Sequence, residues 1–241
     1  EMIRNLKKHK GSENMLAELK TRLKKLREKE EKSKKTGRGR TGIRKEGYQV
    51  VFTGPTNSGK SALLGALTNA KPLVSLHPYT TSEPVLGTMD YGGVKAQIID
   101  QPSMGHASFD IGLTNNADCI VIVVDNLNDI TKVEKILKRV TGKIIIVFNK
   151  IDLLSGEDKR KLEERCKAKR INAFFVSAFS GEGIDELKKK IFESMAVIRI
   201  YMKEPGKKVS NIPAVLPVGS TLKDAAESIF HGFSNRVREA R

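Results

Sequence analysis

The sequence predicts an α/β protein: a three-layer fold with a mostly parallel sheet, preceded by a basic helical arm and followed by a partial β-grasp module. Three observations carry the prediction. From residue 48 onward, short apolar runs alternate with helix-patterned segments, the rhythm of βα units. Residues 120–124 and 144–148 are unbroken apolar runs, as in parallel strands covered on both faces. Between the first strand and the first helix stands GPTNSGKS, residues 54–61, a G-x-x-x-x-G-K-S signature in the strand–loop–helix setting it requires. The chain divides accordingly into an arm and linker over 1–46, the α/β domain over 47–195, and the partial module over 196–241.

The elements follow in order. Residues 12–35 predict one long helix, with Ser12 as N-cap and Leu16, Leu19, Leu23 and Leu26 forming a narrow apolar stripe. The stripe spans only about two heptads, too few for a coiled coil, so it packs on a partner helix or on the chain's own body. Residues 36–47, rich in Gly and Arg without periodicity, predict a basic linker. Strands are predicted at 48–53, 85–91, 94–100, 118–125, 143–148 and 171–176, the second and third forming a hairpin that turns at Gly92 and Gly93. Helices are predicted at 60–69, 106–116, 128–141, 156–169 and 183–195. Beyond 196, residues 197–202 alternate like a strand and Pro205-Gly206 reads as a turn. Residues 212–218 are extended, and a helix over 222–230 is capped by Ser220 or Thr221.

Composition narrows the partners. The chain carries 44 Lys and Arg against 28 Asp and Glu, a net charge of +16. Residues 1–46 hold 17 of those basic side chains and 7 of the acidic ones, so +10 lies in about a fifth of the chain. That footprint fits a polyanion, with nucleic acid first; a solvated lysine-rich helix is the plainer alternative. Two cysteines without metal spacing predict structural thiols in a reducing, cytoplasmic setting. No run approaches the length of a membrane span, and the opening residues do not read as a signal peptide.

The chemistry is carried by short motifs. The nest formed by Gly54, Pro55, Thr56, Asn57, Ser58 and Gly59 points backbone N–H groups at phosphates, and the helix beginning with Lys60, Ser61 and Ala62 adds its positive end. Lys60 reaches the β- and γ-phosphates and the Ser61 hydroxyl holds Mg²⁺. Asp100, ending the strand 94–100, completes the Mg²⁺ site through water; Thr81 of the loop YTTSEP joins it when a γ-phosphate is present. Lys60, Thr81 and Asp100 are thus the candidate catalytic residues. Asn149, Lys150 and Asp152 follow a buried strand about 90 residues after the phosphate loop. The Asp152 carboxylate accepts two hydrogen bonds from guanine that adenine cannot donate, Asn149 donates to the purine and braces the loop, and the Lys150 stem covers the base. Ser177, Ala178 and Phe179 follow the next strand, where backbone N–H groups meet guanine O6. The ligand read from these residues is GTP.

In this order, the phosphate loop, the Thr-Thr loop, Asp-x-Pro, Asn-Lys-x-Asp and Ser-Ala resemble translation-factor-class GTPases. The helix LAELKTRLKKLRE, the loop PYTTSEPVLGTM and the tail IRIYMKEPGKK…LPVGSTLKDAAESIF resemble one branch, the developmentally regulated GTP-binding (DRG) proteins related to Obg. The resemblance implies a P-loop GTPase fold, a TGS-type β-grasp tail, and contact with RNA or the ribosome. Three departures stand out. Only 24 residues separate Asp125 from Asn149, too few for the extra domain common in the branch. Ser103 replaces the glycine of Asp-x-Pro-Gly, and the TGS-like tail is short. Met104 stands where Ras-like enzymes carry a water-orienting glutamine, implying slow intrinsic hydrolysis. In potassium-stimulated relatives an asparagine at the position of Asn57 ligates K⁺, which gives Asn57 that candidate role here.

These readings imply a molecular switch that hydrolyses GTP to GDP and acts on RNA or the ribosome in translation. The basic arm and TGS-like tail would be its contact surfaces, and the leucine stripe a site for a protein partner. The alternatives are an RNA or protein adaptor that holds GTP structurally with little hydrolysis, and an ATP-using P-loop enzyme.

Overall fold

A computed structural model describes residues 43–68, 83–137, 139–203, 206 and 208–236, together with Thr21, Arg22 and Lys24. The predicted helix over 12–35, its leucine stripe and most of the linker lie outside the described residues, apart from those three helical positions. The chain forms two compact units, Glu1–Arg44 and Lys45–Arg241.

The second unit is built on a six-stranded sheet ordered β2-β3-β1-β4-β5-β6. Its strands are β1 (Tyr48–Thr53), β2 (Val85–Tyr91), β3 (Val94–Asp100), β4 (Cys119–Val124), β5 (Lys143–Phe148) and β6 (Ala173–Phe175). All neighbours run parallel except β2, which pairs antiparallel with β3 so that Val85 faces Asp100 and Tyr91 faces Val94. The predicted parallel sheet with one hairpin is what forms. The turn at Gly92 and Gly93 has positive φ at both residues, and the Gly93 N–H donates to Asp90 Oδ1 at 2.9 Å.

Every residue of β4 is buried, because a strand at the centre of a parallel sheet is covered twice. Alternation sorts its side chains between two layers. Val121 and Val123 join Val50, Phe52, Ile98 and Val147 in one core. That core is closed by Leu63, Leu64 and Leu67 of α1 (Lys60–Leu67) and by Leu187 and Ile191 of the helix Ile184–Ser194. Ile120 and Ile122 are buried outside that cluster, as are Ile130 and Val133 of the helix Leu127–Ile136. The helices between the last strands are α2 (Ile111–Asn115), α3 (Leu127–Ile136), α4 (Gly156–Ala168) and α5 (Ile184–Ser194).

α2 is much shorter than the predicted 106–116. Residues 104–109 instead form consecutive turns (His106 N–H to Ser103 O, Phe109 N–H to His106 O), and the Asp110 carboxylate caps the helix at the Gly112 and Leu113 amides. α3 is likewise capped by Asn126, whose side chain accepts from the Asp129 N–H, and it stops at Ile136. Among the described residues no helix is long and apolar enough to cross a membrane.

After α5 the chain forms an antiparallel pair, β7 (Val197–Ile200) and β8 (Ala214–Pro217), and then α6 (Leu222–Ile229). Thr221 and Asp224 make a reciprocal capping box at its start. β7 reaches back to the hairpin: Arg199 Nη1 donates to Gly92 O at 3.4 Å. The Arg199 guanidinium lies 4.7 Å from the Phe192 ring centre and 5.7 Å from that of Tyr91. Gly93 is required by close approach, since a Cβ there would stand 2.5 Å from the Pro213 ring.

Candidate functional site

The phosphate loop sits at the carboxyl end of β1, where sheet register brings β3 and β4 alongside. Gly54 has φ 153°, and a Cβ on it would lie 2.1 Å from Val123 O, so β4 leaves no room for a side chain. Gly59 ends the loop at φ 85°, where a Cβ would meet Asn149 Nδ2 at 2.2 Å. Asn57, exposed at the tip, adopts φ 62°. Among the described residues the backbone N–H groups of Thr56, Asn57, Ser58 and Gly59 meet no protein acceptor. With α1 starting at Lys60 behind them, they form a concave row of donors with the electrostatics of an anion site.

Lys60 is 6% exposed, and burial pulls its ammonium down to about 8, partly opposed by the Asp100 charge. Its Nζ donates to Pro55 O at 2.8 Å, to Ser103 Oγ at 3.1 Å and to Gly54 O at 3.4 Å. The Met104 N–H donates to Gly54 O at 3.2 Å, folding residues 103–104 onto the loop. These contacts escaped the sequence reading; the hydroxyl at position 103, where the pattern calls for glycine, was the signal for them.

Ser61 Oγ hydrogen-bonds Asp100 Oδ2, joining the start of α1 to the end of β3. Asp100 is fully buried, its Oδ1 meets no protein donor, and burial raises its pKa. An orphaned carboxylate oxygen beside the Ser61 hydroxyl, in the first turn of α1 after the phosphate loop, is a donor set that fits a hard divalent cation. Thr81, expected to join it, lies outside the described residues.

The other half of the site is tied to the loop by one amide. Asn149, 4% exposed at the end of β5, donates from Nδ2 to Ser58 O at 3.0 Å and to Gly59 O at 3.4 Å. Its Oδ1 accepts from the Ala178 N–H at 3.1 Å. Lys150 turns the chain with φ 63°, and its Nζ lies 4.0 Å from Asp125 Oδ2. Asp152 is exposed, and its Oδ1 accepts from Ser177 Oγ at 2.6 Å; Ser177 Oγ in turn accepts from the Ser180 N–H at 3.0 Å. Of the three amides expected to face guanine O6, that of Ser177 is bonded to Glu182 O and that of Ala178 to Asn149 Oδ1. The Phe179 N–H carries no protein acceptor among the described residues, and its side chain is 94% exposed. The arrangement brings Gly54, Pro55, Ser58, Gly59, Lys60, Ser61 and Asp100 into one cluster with Asn149, Ala178, Ser177 and Asp152.

Residues 49–150 match the family model described as "50S ribosome-binding GTPase". An uncharacterized GTP-binding protein of Methanocaldococcus jannaschii is 25% identical over a 323-residue alignment that takes in 97% of this chain and 81% of the relative. The tRNA modification GTPase MnmE of Moorella thermoacetica is 32% identical over 61% of this chain. The GTPase Obg of Caldanaerobacter subterraneus is 28% identical over 69% of it. The chain spans only 35% of that MnmE and 43% of that Obg. A crystal structure of Era in complex with MgGDPNP and nucleotides 1506–1542 of 16S ribosomal RNA shares the fold, with TM-score 0.54 and 24% identity over 77% of this chain and 66% of that one. A loop of free amides after β1, a buried carboxylate at the end of β3 and an asparagine bridge from β5 to that loop thus coincide with these similarities: the chain has the α/β P-loop GTPase fold, shared with Era, and its α/β region is similar in sequence to the GTPases Obg and MnmE.

Proposed function

We propose that the chain is a GTP-hydrolysing switch of the DRG branch that works on RNA or the ribosome. The observation that carries the reading is the Asn149 bridge, because one buried amide couples the phosphate loop to the loops offered to the base. Asp152 is the guanine reader: its carboxylate pairs with two donors that adenine lacks, and leaving it unpaired costs several kcal/mol. Lys60 and the loop amides meet the phosphate charge. Ser61, Asp100 and Thr81 are the residues that would hold Mg²⁺, which supplies charge neutralisation at the phosphates when bound. Asn57 is the residue that would hold K⁺. Met104 has no group to orient a water, so intrinsic turnover is slow.

RNA or ribosome contact is supported by the +10 arm and by the description of the matching family model. The DRG and TGS readings are supported by the tail, since β7, β8 and α6 give a strand pair and helix there, and by an alignment to an archaeal GTP-binding protein that extends across it. A second reading, an adaptor that holds GTP with little hydrolysis, is favoured by one contact: the Ser103 hydroxyl engages Lys60.

Single-turnover GTP hydrolysis by the full chain, in KCl and in NaCl, with and without purified ribosomes, separates the two. The switch requires turnover that rises with ribosomes or RNA; the adaptor gives tight GTP retention and flat, negligible turnover. Asp152→Asn moves preference from guanine to xanthine nucleotides, and an unchanged nucleotide profile refutes the guanine reading.

A further inference from the structure

Beside the base-reading loops a cleft of about 560 Å³ opens between α3 and α4. Ligand pockets run from about 300 to 1,000 Å³, so the space holds one nucleoside. Its floor is apolar, from Leu127, Leu154 and Leu162. One edge carries Asn126 and Asn128. The Asn126 amide is consumed locally, donating to Asp125 Oδ1 and Asp129 Oδ2, whereas among the described residues the Asn128 side-chain amide has no partner. The other edge is a basic row, Lys161, Arg165 and Lys169, spaced four residues apart along α4 and its C-cap. Such a spacing puts the cations about 6 Å apart along the axis, comparable to successive phosphates on a single strand. Lys161 pairs with Glu157 at 2.8 Å, but among the described residues Arg165 and Lys169 meet no carboxylate. Two acids also line the cleft, and both are engaged: Asp125 lies 4.0 Å from Lys150 Nζ, and Asp158 accepts from Ser155 Oγ at 2.7 Å.

From this juxtaposition we propose that the α3–α4 cleft seats one nucleotide of an RNA strand. The base lies on the leucine floor with its edge at Asn128, and flanking phosphates lie on Arg165 and Lys169. The inference rests on the RNA reading above and gives it a surface within the GTPase domain, separate from the basic arm and the tail. It also places RNA near the candidate nucleotide site, since Asp125 lines the cleft and lies 4.0 Å from Lys150 Nζ.

The test is binding of a fluorescein-labelled single-stranded RNA of mixed sequence by the GTP-loaded full chain across a salt series. Each phosphate contact on a single strand contributes about −0.7 to the slope of log K against log salt, so Arg165→Glu/Lys169→Glu should flatten the slope by about 1.4 and weaken binding about 25-fold near 0.1 M salt. Arg165→Gln/Lys169→Gln should behave the same way, which guards against misfolding of the reversal, and unchanged GTP affinity checks the fold in both. Asn128→Ala should weaken binding without altering the slope. If the parent chain binds no RNA at any salt, this proposal and the RNA reading both fall. If it binds RNA and both double variants keep its slope and affinity, the cleft proposal alone falls. If polyglutamate at matched charge binds the parent at least as tightly as RNA does and loses affinity in both double variants, while Asn128→Ala leaves RNA binding unchanged, the groove belongs to an acidic protein and the proposal is overturned.

Discussion

Asn149→Ala tests whether one amide holds the two halves of the site together. The side chain is 4% exposed and makes three hydrogen bonds, at 3.0, 3.1 and 3.4 Å. The two shorter ones contribute about 1 kcal/mol net each, and the Ser58 carbonyl left buried and unpaired adds about 1 kcal/mol more, so the change costs about 3 kcal/mol. For a domain of about 200 residues that lowers Tm by about 6–12 °C. Guanine nucleotide affinity should fall by at least about tenfold, because loop and base site are no longer held in register. Thermal melts followed by circular dichroism, and titration with a fluorescent GTP analogue, read the two effects. Asn149→Asp sharpens the result: it keeps the acceptor for the Ala178 N–H but sets an oxygen against the Ser58 carbonyl, so it should be no better than alanine. A protein that melts within about 2 °C of the parent and binds GTP equally well would refute the argument that the bridge couples the two loops.

Three further outcomes are expected. Ser103→Ala removes one of three acceptors around Lys60, so GTP affinity by calorimetry should rise up to about fivefold, and a fall would show that the hydroxyl serves the bound state instead. Arg199→Ala removes a cation stacked on Phe192 and Tyr91, a loss of about 1 kcal/mol, and limited proteolysis should then cut sooner between β7 and β8 while GTP binding holds. Burial pushes the Tyr48 phenol up to about 12 from an ordinary 10, while its hydroxyl donates to Ser194 O at 2.9 Å. The folded state therefore retains a proton that the unfolded chain releases, so this contribution to stability is complete below pH 10 and is lost as pH rises to about 12. Urea unfolding of the parent should weaken across that window more steeply than that of Tyr48→Phe.

Much of the sheet was legible in the sequence because buried parallel strands need unbroken apolar runs. The bounds of 48–53, 85–91, 94–100 and 143–148 came directly from where such runs, or the alternation of the hairpin, stop. Helix ends were less legible. Apolar periodicity continues past 136, yet α3 stops there; and nothing periodic announces that Asp110, rather than a residue near 106, caps α2. The strand expected over 171–176 contracts to Ala173–Phe175 because the Ile171 N–H is taken by Cys166 O as α4 ends. At the site, glycine spacing marked the phosphate loop, but the reason for two of its glycines lies elsewhere in the chain, in Val123 and Asn149. The engagement of Lys60 by Ser103 is a contact across 43 residues with no local pattern. Such pairings are set by how strands align in the sheet, which spacing along the chain does not encode.

The hold of Arg199 on the Gly92 turn has a mechanical consequence. β2 and β3 are two seven-residue strands cross-bonded along their full length, a stiff bar about 20 Å long. One tip is gripped from the last fifth of the chain; the other presents Asp100, the carboxylate beside Ser61. The hairpin therefore forms one hydrogen-bonded path from β7 at one tip to the Asp100–Ser61 contact at the start of α1 at the other.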